Sequence, residues 1–232
     1  AFYHQEKRHR TNEFATFQVN RDLEIRLIPS PGYSRNIGPK RLWDHAVMAK
    51  NLKNQLAKTT EKPDVAFIGY PPIEVAAVMG NWLKKNDVKF ILDIKDLWPS
   101  IFIDAMPGRI TKLIGKIILF PYFIIGKKLI RNAAGISSMS QSFLDWADAF
   151  SQKNKNNNDI IVPLTSPDLT LNIDDLKDAG KWWDSLNIKI DGKPRFFFVG
   201  SHSQAFDMQP IYDAAAYFHS NNITCDFVIC GN

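Results

Sequence analysis

Cysteine is almost absent from this chain, which has only two, Cys225 and Cys230, among its 232 residues. Both lie in one apolar segment, so we expect two buried thiols rather than a disulfide bridge. Such sparse cysteine is typical of a protein from a reducing compartment. The histidines and cysteines also lack the spacing of metal ligands, and the sequence therefore predicts no metal site.

The sequence also lacks the usual signatures of several enzyme and binding classes. It contains no G-x-G-x-x-G, GK[ST] or G-x-S-x-G motif, which argues against a dinucleotide site, a P-loop and an α/β-hydrolase nucleophile. Basic and aromatic residues are not interleaved as they are in RNA-binding surfaces. Nucleic acid is therefore not an expected partner.

Long apolar runs are missing as well. The opening residues, AFYHQEKRHR, are polar and basic and have no apolar stretch like that of a secretory signal. The longest apolar run, Ile117–Ile125, contains Pro121 and is much shorter than the roughly 20 residues that cross a bilayer. The sequence therefore predicts no membrane-spanning helix.

What the chain does contain is an alternation of apolar segments and amphipathic ones, with 45% hydrophobic and 23% charged residues. Strands are expected at 23–31, 63–72, 88–94, 133–140, 159–164, 193–201 and 223–232, and most of these read as buried. Helices are expected at 41–57, 73–85, 110–132, 140–150, 174–185 and 208–221, the third with a break at Pro121. This order predicts an α/β protein with a mostly parallel sheet.

Two domains are expected. Residues 1–192 would form a first Rossmann-like domain, and residues 193–232 would begin a second. Because two strands and one helix do not close a core, the second domain is expected to continue beyond residue 232.

The segment FILDIKDLWP places charges at the end of a buried strand. In parallel sheets, ligands bind beyond the carboxyl ends of the strands, so we predict that Lys95 and Asp96 contact a ligand. Trp98 and Pro99 are interpreted as a packed corner. Asp93 lies in phase with Lys95 and either joins the site or forms an internal salt bridge with it.

The segment VGSHSQAFD places Gly200 and Ser201 between a strand and a helix. Such a turn lets backbone N–H groups approach a phosphate at a helix N-terminus. Without a glycine-rich signature, this pattern alone does not identify a phosphate-binding site.

The segment RITKLIGKIILFPYFIIGKKLIR combines basic and apolar residues. One interpretation, favoured for the apolar residues, is a surface helix that covers the sheet with them. The other is peripheral docking onto an anionic membrane. The basic residues that would take part in docking are Arg109, Lys112, Lys116, Lys127, Lys128 and Arg131.

Three segments in this order resemble a known family: DVAFIGYPPIEVAAVMGNWLKKNDVKFILDIKDLWP, GISSMSQSFLDWA, and FFFVGSHSQAFDMQPIYDAAAYF with CDFVICGN. They are similar to family-four glycosyltransferases of the GT-B fold, in the bacterial subgroup of surface polysaccharide synthesis that includes N-acetyl-fucosamine transferases. That subgroup typically has RDLWP where this chain has Lys95 in place of the arginine.

The resemblance implies a retaining, metal-independent transfer of a sugar from a nucleotide-sugar donor to a lipid-linked saccharide acceptor, without a cofactor. It implies a cytoplasmic enzyme at the inner face of the plasma membrane. The acceptor side of the cleft would include Tyr70, Asp93, Lys95, Asp96 and Ser140. Gly200 and Ser201 would lie near the donor phosphates.

The resemblance also implies that parts of the enzyme lie outside these 232 residues. The family's first strand and glycine-rich loop would precede residue 1, and the groups that grip the nucleotide-sugar would follow residue 232. We therefore expect the full-length protein to be a transferase and these residues alone to be inactive. Two alternatives remain: a nucleotide-sugar epimerase of the same fold, and a non-catalytic, membrane-associated partner subunit.

Overall fold

The computed structural model describes most of the chain. The described residues are 13–33, 38–153, 156–165, 170–188, 191–200 and 207–231. They belong to two compact units, Ala1–Thr165 and Ser166–Asn232. This division lies before residue 193, where the sequence predicts that a second domain begins.

The first element in the described part of the first unit is a β-hairpin. Strands β1 (Ala15–Asn20) and β2 (Leu23–Leu27) pair antiparallel, with Phe17 opposite Ile25. The sequence predicted β2 but not β1. The alternation of apolar residues from Phe17 through Val19 was the available signal.

The main sheet of the first unit has four parallel strands in chain order. They are β3 (Val65–Tyr70), β4 (Lys89–Ile94), β5 (Gly135–Ser138) and β6 (Ile160–Ile161). The helices in the described ranges of this unit are α1 (Pro39–Leu56), α2 (Ile73–Lys85), α3 (Ser100–Asp104), α4 (Gly108–Ile118), α5 (Phe120–Asn132) and α6 (Gln141–Ser151). The predicted α/β architecture with a parallel sheet is confirmed for this unit.

The strand order determines which face of the sheet is covered. Crossovers between parallel strands are right-handed, so strands that follow one another in chain order place their connecting helices on the same face. The main core accordingly joins the sheet to α2, α5 and α6. On β3, Ile68 and Tyr70 are buried whereas Val65 and Phe67 are exposed. The prediction of a buried strand at 63–72 therefore holds for one face only, because the described residues leave its other face exposed.

The predicted break in the long helix at 110–132 is confirmed. Helix α4 ends at Ile118, and α5 begins at Phe120 with Pro121 in its first turn. A proline is tolerated there because the first N–H groups of a helix have no intrahelical partner.

The expectation that α4 covers the sheet with its apolar residues is wrong. Gly115 is the one buried residue of this helix. The apolar side chains stand in solvent: Ile110, Leu113, Ile114, Ile117 and Ile118 are exposed to between 50% and 76%. The physical reason is that α4 lies between two other helices in the chain and connects directly to no strand.

The second unit contains α7 (Ile173–Ser185), β7 (Arg195–Val199), α8 (Gln209–Ser220) and β8 (Asp226–Cys230). The two strands are parallel, with Phe197 opposite Val228. Helix α7 begins with a capping box in which Asn172 and Asp175 satisfy each other's backbone N–H groups. Within its described ranges, this unit has no residue that is fully buried.

Candidate functional site

The candidate site lies at the carboxyl edge of the main sheet, where β3, β4 and β5 end at Tyr70, Ile94 and Ser138. The strands are in register there, since Gly69 is opposite Asp93 and Asp93 is opposite Ser137. The segments that follow these strands therefore start close together. This is the edge at which open α/β sheets bind ligands.

Asp93 and Lys95 form an ion pair at this edge. The Lys95 ammonium lies 3.1 Å from Asp93 Oδ2, and the Asp93 carboxylate is buried whereas the lysine side chain is 59% exposed. Of the two interpretations of Asp93, the structure shows the salt bridge. Ser137 is also buried, and its hydroxyl has no hydrogen-bond partner within the described part of the chain.

Asp96, Trp98 and Pro99 form the corner after β4. Asp96 Oδ1 accepts a hydrogen bond of 2.9 Å from the Leu97 amide. Trp98 and Pro99 are buried, which confirms that they pack as a corner. One Asp96 oxygen is thus used within the turn, and its ligand contact stays a prediction.

Tyr70 ties the ends of two strands together. Its buried hydroxyl donates a hydrogen bond of 2.7 Å to the Trp98 carbonyl, and its own carbonyl accepts one of 3.0 Å from the Lys95 amide. Burial, together with the negative charges of Asp96 and Glu74, raises the pKa of the Tyr70 phenol far above its ordinary value. Tyr70 is therefore a neutral hydrogen-bond donor that holds the corner in place.

Ser140 occupies the N-cap position of α6, with extended backbone. Its hydroxyl lies 2.9 Å from the Ser142 hydroxyl and makes no capping bond to the helix amides. Its carbonyl accepts a hydrogen bond of 2.9 Å from the Ser138 hydroxyl. These bonds link the end of β5 to the start of α6 within one segment.

Sequence reasoning missed a polar cluster beside this edge. Glu74, in the first turn of α2, accepts a hydrogen bond of 2.7 Å from the Tyr122 hydroxyl on α5. Its other oxygen lies 3.6 Å from Nδ1 of His45 on α1, longer than a hydrogen bond. Both of these facing atoms are buried and lack a hydrogen-bond partner within the described part of the chain.

The environment of Glu74 favours its charged form. Burial raises the pKa of this carboxyl, but the His45 imidazole and the Tyr122 hydroxyl outweigh burial and hold the pKa below its usual value. Burial and the Glu74 carboxylate in turn raise the pKa of the Tyr122 phenol well above its ordinary range. The cluster is therefore a carboxylate with a phenol donor on one side and an imidazole on the other.

An apolar cavity of about 210 Å³ lies beside Trp98. Helix α1 contributes Leu42 and Arg41 to its lining, while Phe102 and Ile118 come from the side of α3 and α4. The Arg41 guanidinium stacks over the Trp98 ring at 4.4 Å. The cavity thus combines hydrocarbon walls with one cationic group at the corner that follows β4.

The predicted donor-side residues belong to the second unit. Gly200 directly follows β7, and its amide donates a hydrogen bond of 3.0 Å to the Cys230 carbonyl at the end of β8. A side chain at this position would crowd the Phe198 ring, at 3.1 Å from a Cβ atom. Ser201 lies outside the described residues.

The predicted docking residues divide into two groups. On α4, Arg109 and Lys116 are exposed and Lys112 is half-buried. On α5, Lys128 is exposed and the half-buried Lys127 lies over the Phe150 ring at 5.8 Å. The Arg131 guanidinium donates a hydrogen bond of 2.6 Å to the Ser151 carbonyl at the end of α6, so it also serves helix packing.

Two kinds of feature are absent from the described ranges. No cluster of three or more His, Cys, Asp or Glu side chains is placed to hold a metal ion there. Every helix in those ranges is too short or too polar to cross a lipid bilayer. The chain matches no protein-family model, and no curated protein is significantly similar to it.

Proposed function

We propose that this chain is part of a retaining glycosyltransferase of the GT-B fold that acts in cell-surface polysaccharide synthesis. The observation that carries the proposal is the carboxyl edge of the main sheet. There the segment with the family resemblance, FILDIKDLWP, presents an exposed Lys95 ammonium held by the buried Asp93 carboxylate. Parallel α/β sheets bind their ligands at this edge.

The proposed reaction joins an acceptor hydroxyl to a nucleotide-activated sugar. The hydroxyl oxygen bonds to the anomeric carbon on the face from which the nucleotide leaves. The bond from that carbon to the diphosphate oxygen breaks with its electron pair, and the hydroxyl proton passes to the departing diphosphate. Lys95 and Asp96 would bind the acceptor saccharide, with Asp93 as the positioning residue of Lys95.

The donor is proposed to bind mainly to the second unit, near the end of β7. The Gly200 amide donates to the Cys230 carbonyl at the end of β8, so the placement of Gly200 near the donor phosphates rests on the family resemblance. Ser201, the next residue, shares this proposed role on sequence grounds.

A lipid-linked acceptor fits the apolar cavity beside Trp98. Its volume of about 210 Å³ exceeds that of a buried apolar cavity of about 150 Å³ that admits benzene. The Arg41 guanidinium adds a positive charge of the kind that binds a diphosphate. A short stretch of hydrocarbon next to an acceptor phosphate is the chemistry that these walls suit, and the cytoplasmic face of the plasma membrane is the proposed location.

The test is a donor screen on the full-length protein with a lipid-linked saccharide acceptor, scored by release of free nucleotide. At least one nucleotide-sugar should release nucleotide and extend the acceptor. Lys95→Ala should lower kcat/KM about 10- to 100-fold, because it removes a positioning contact. An isomerised nucleotide-sugar without free nucleotide would instead identify an epimerase. Turnover of no donor would favour a non-catalytic partner subunit.

A second experiment tests the cavity. Leu42→Trp should fill it and raise KM for the lipid-linked acceptor roughly 10- to 20-fold, as expected when about two methylene groups lose their burial. A water-soluble acceptor without the lipid should be used equally well by both proteins. Val65→Trp, on the open face of the sheet, is the matched control. Equal losses with both acceptors would contradict a lipid role for the cavity.

A further inference from the structure

The segment that covers α4 and the start of α5 exposes more apolar surface than its place in the fold explains. Eight large apolar side chains here are exposed to between 37% and 76%: Ile110, Leu113, Ile114, Ile117, Ile118, Phe120, Ile124 and Ile125. Single exposed apolar residues are ordinary, but a contiguous group of this kind marks an interaction surface.

The way α4 is held explains why this group faces outward. Gly115 is buried against Met106 and Ile103, and a Cβ atom at this position would collide with the Met106 sulfur. The missing side chain therefore lets α4 lie close to α3 along one narrow line. Most of the remaining helix surface, including its apolar stripe, is exposed to solvent.

The charge of the same region points to an anionic partner. Residues 105–144 contain six Lys and Arg residues and no Asp or Glu. Since the whole chain has 29 basic and 24 acidic residues, the remainder holds 23 basic and 24 acidic ones and is nearly neutral. The net positive charge of the protein is thus concentrated in the region with the exposed apolar group.

A second copy of this chain would not suit the surface. A symmetric dimer places the same patch on both partners, so two acid-free basic surfaces would face each other. Like charges brought together in this way oppose association. An anionic lipid surface offers apolar depth and negative charge together, which is the combination that interfacial amphipathic helices recognise.

We propose that α4 and the first turns of α5 form a membrane-binding surface that lies in the interface of an anionic phospholipid bilayer. The apolar side chains enter the boundary between headgroups and acyl chains, while Arg109, Lys112 and Lys116 contact the headgroups. This inference concerns a surface and stands whether or not the protein transfers a sugar.

The experiment is co-sedimentation of the protein with vesicles of phosphatidylcholine alone and of phosphatidylcholine mixed with an equal part of phosphatidylglycerol. Binding is expected to the mixed vesicles and not to the neutral ones, and added salt should weaken it. The double variant Lys112→Glu, Lys116→Glu should lose at least 25-fold in affinity, at roughly fivefold for each basic residue near the surface. Ile117→Ser with Ile118→Ser should lose at least tenfold, because the apolar contribution to binding is removed.

Matched controls separate this surface from general charge and general apolarity. Lys58→Glu with Lys62→Glu makes the same change in net charge at exposed positions elsewhere in the first unit. Val65→Ser with Phe67→Ser removes exposed apolar side chains from the open face of the sheet. Both controls should bind mixed vesicles much as the unchanged protein does, and circular dichroism should show that all four variants are folded.

Several results would overturn the proposal. These are equal binding to neutral and mixed vesicles, unchanged binding by either α4 variant, and losses in the controls as large as those on α4. A dimer in sedimentation velocity that Ile117→Ser with Ile118→Ser dissociates, with no vesicle binding, would assign the surface to a second copy of the chain instead.

Discussion

Helices α2 and α4 both carry an apolar face, and their surroundings are opposite. In α2, Ile73, Ala76 and Leu83 are buried under the sheet, whereas Leu113 and Ile117 of α4 stand in solvent. An apolar stripe at helical spacing thus establishes a face but not what covers that face.

The chain connections explain the difference. Helix α2 follows β3 after two residues, and β4 begins after three more, so short links hold the helix against both strands. Helix α4 is preceded by α3 and followed by α5, and nothing in its links directs it to the sheet. In this pair, the helix between two strands therefore serves the core, and the helix between two helices is available for a partner.

The largest expected change in the free energy of unfolding comes from a core truncation in α2. Leu83→Ala should lower the free energy of unfolding by about 2–5 kcal/mol, because it leaves a cavity at a fully buried position. Urea unfolding followed by circular dichroism measures the change. A loss below about 1 kcal/mol would mean that α2 is not held as the structure shows.

A smaller effect is expected at the polar anchor of α2. Tyr122→Phe removes the donor to Glu74 and should cost about 1–2 kcal/mol at neutral pH. Because the fold holds the Glu74 pKa below 4.5, the carboxylate contributes stability that is fully present above about pH 4.5 and is lost as the pH falls through the lower, folded pKa.

The pH dependence supplies the control for that prediction. Without the phenol donor, the Glu74 pKa should rise towards its ordinary value, so Tyr122→Phe should lose less stability on acidification than the unchanged protein. Glu74→Gln should abolish this contribution. Parallel stability curves for all three proteins below pH 5 would contradict the assigned role of the carboxylate.

The smallest effect is expected on α4. Leu113→Ala should change the free energy of unfolding by no more than about 0.5 kcal/mol, since the side chain is 61% exposed. The same urea experiment that measures Leu83→Ala measures this change. A loss comparable to that of Leu83→Ala would mean that α4 packs into a core in solution.

Much of the fold could be predicted from local patterns. The bounds of α2 were predicted residue for residue, because a Pro-Pro pair precedes it and its periodicity is regular. The break before Pro121 and the N-cap position of Ser140 follow from equally local chemistry. The one-sided burial of β3 was not predicted, because no single segment of the sequence determines the order of the strands in the sheet.

The candidate site could be predicted only where it follows one strand. Asp93, Lys95 and Asp96 are neighbours in the chain, so their common position at the end of β4 was visible. His45, Glu74 and Tyr122 come from three helices and meet only through packing. A lone histidine, a helix-start glutamate and a tyrosine in an apolar run carry no local sign of one another.

The segment from residue 105 to residue 144 lacks histidine as well as acids. The side chains whose ordinary charge changes between pH 5 and pH 8 are therefore missing from the segment that contains α4. The attraction between this segment and an anionic bilayer is therefore not expected to change when the pH falls from 8 to 5. Ionic strength and the lipid composition of the bilayer should instead determine how much of the protein is bound to the membrane.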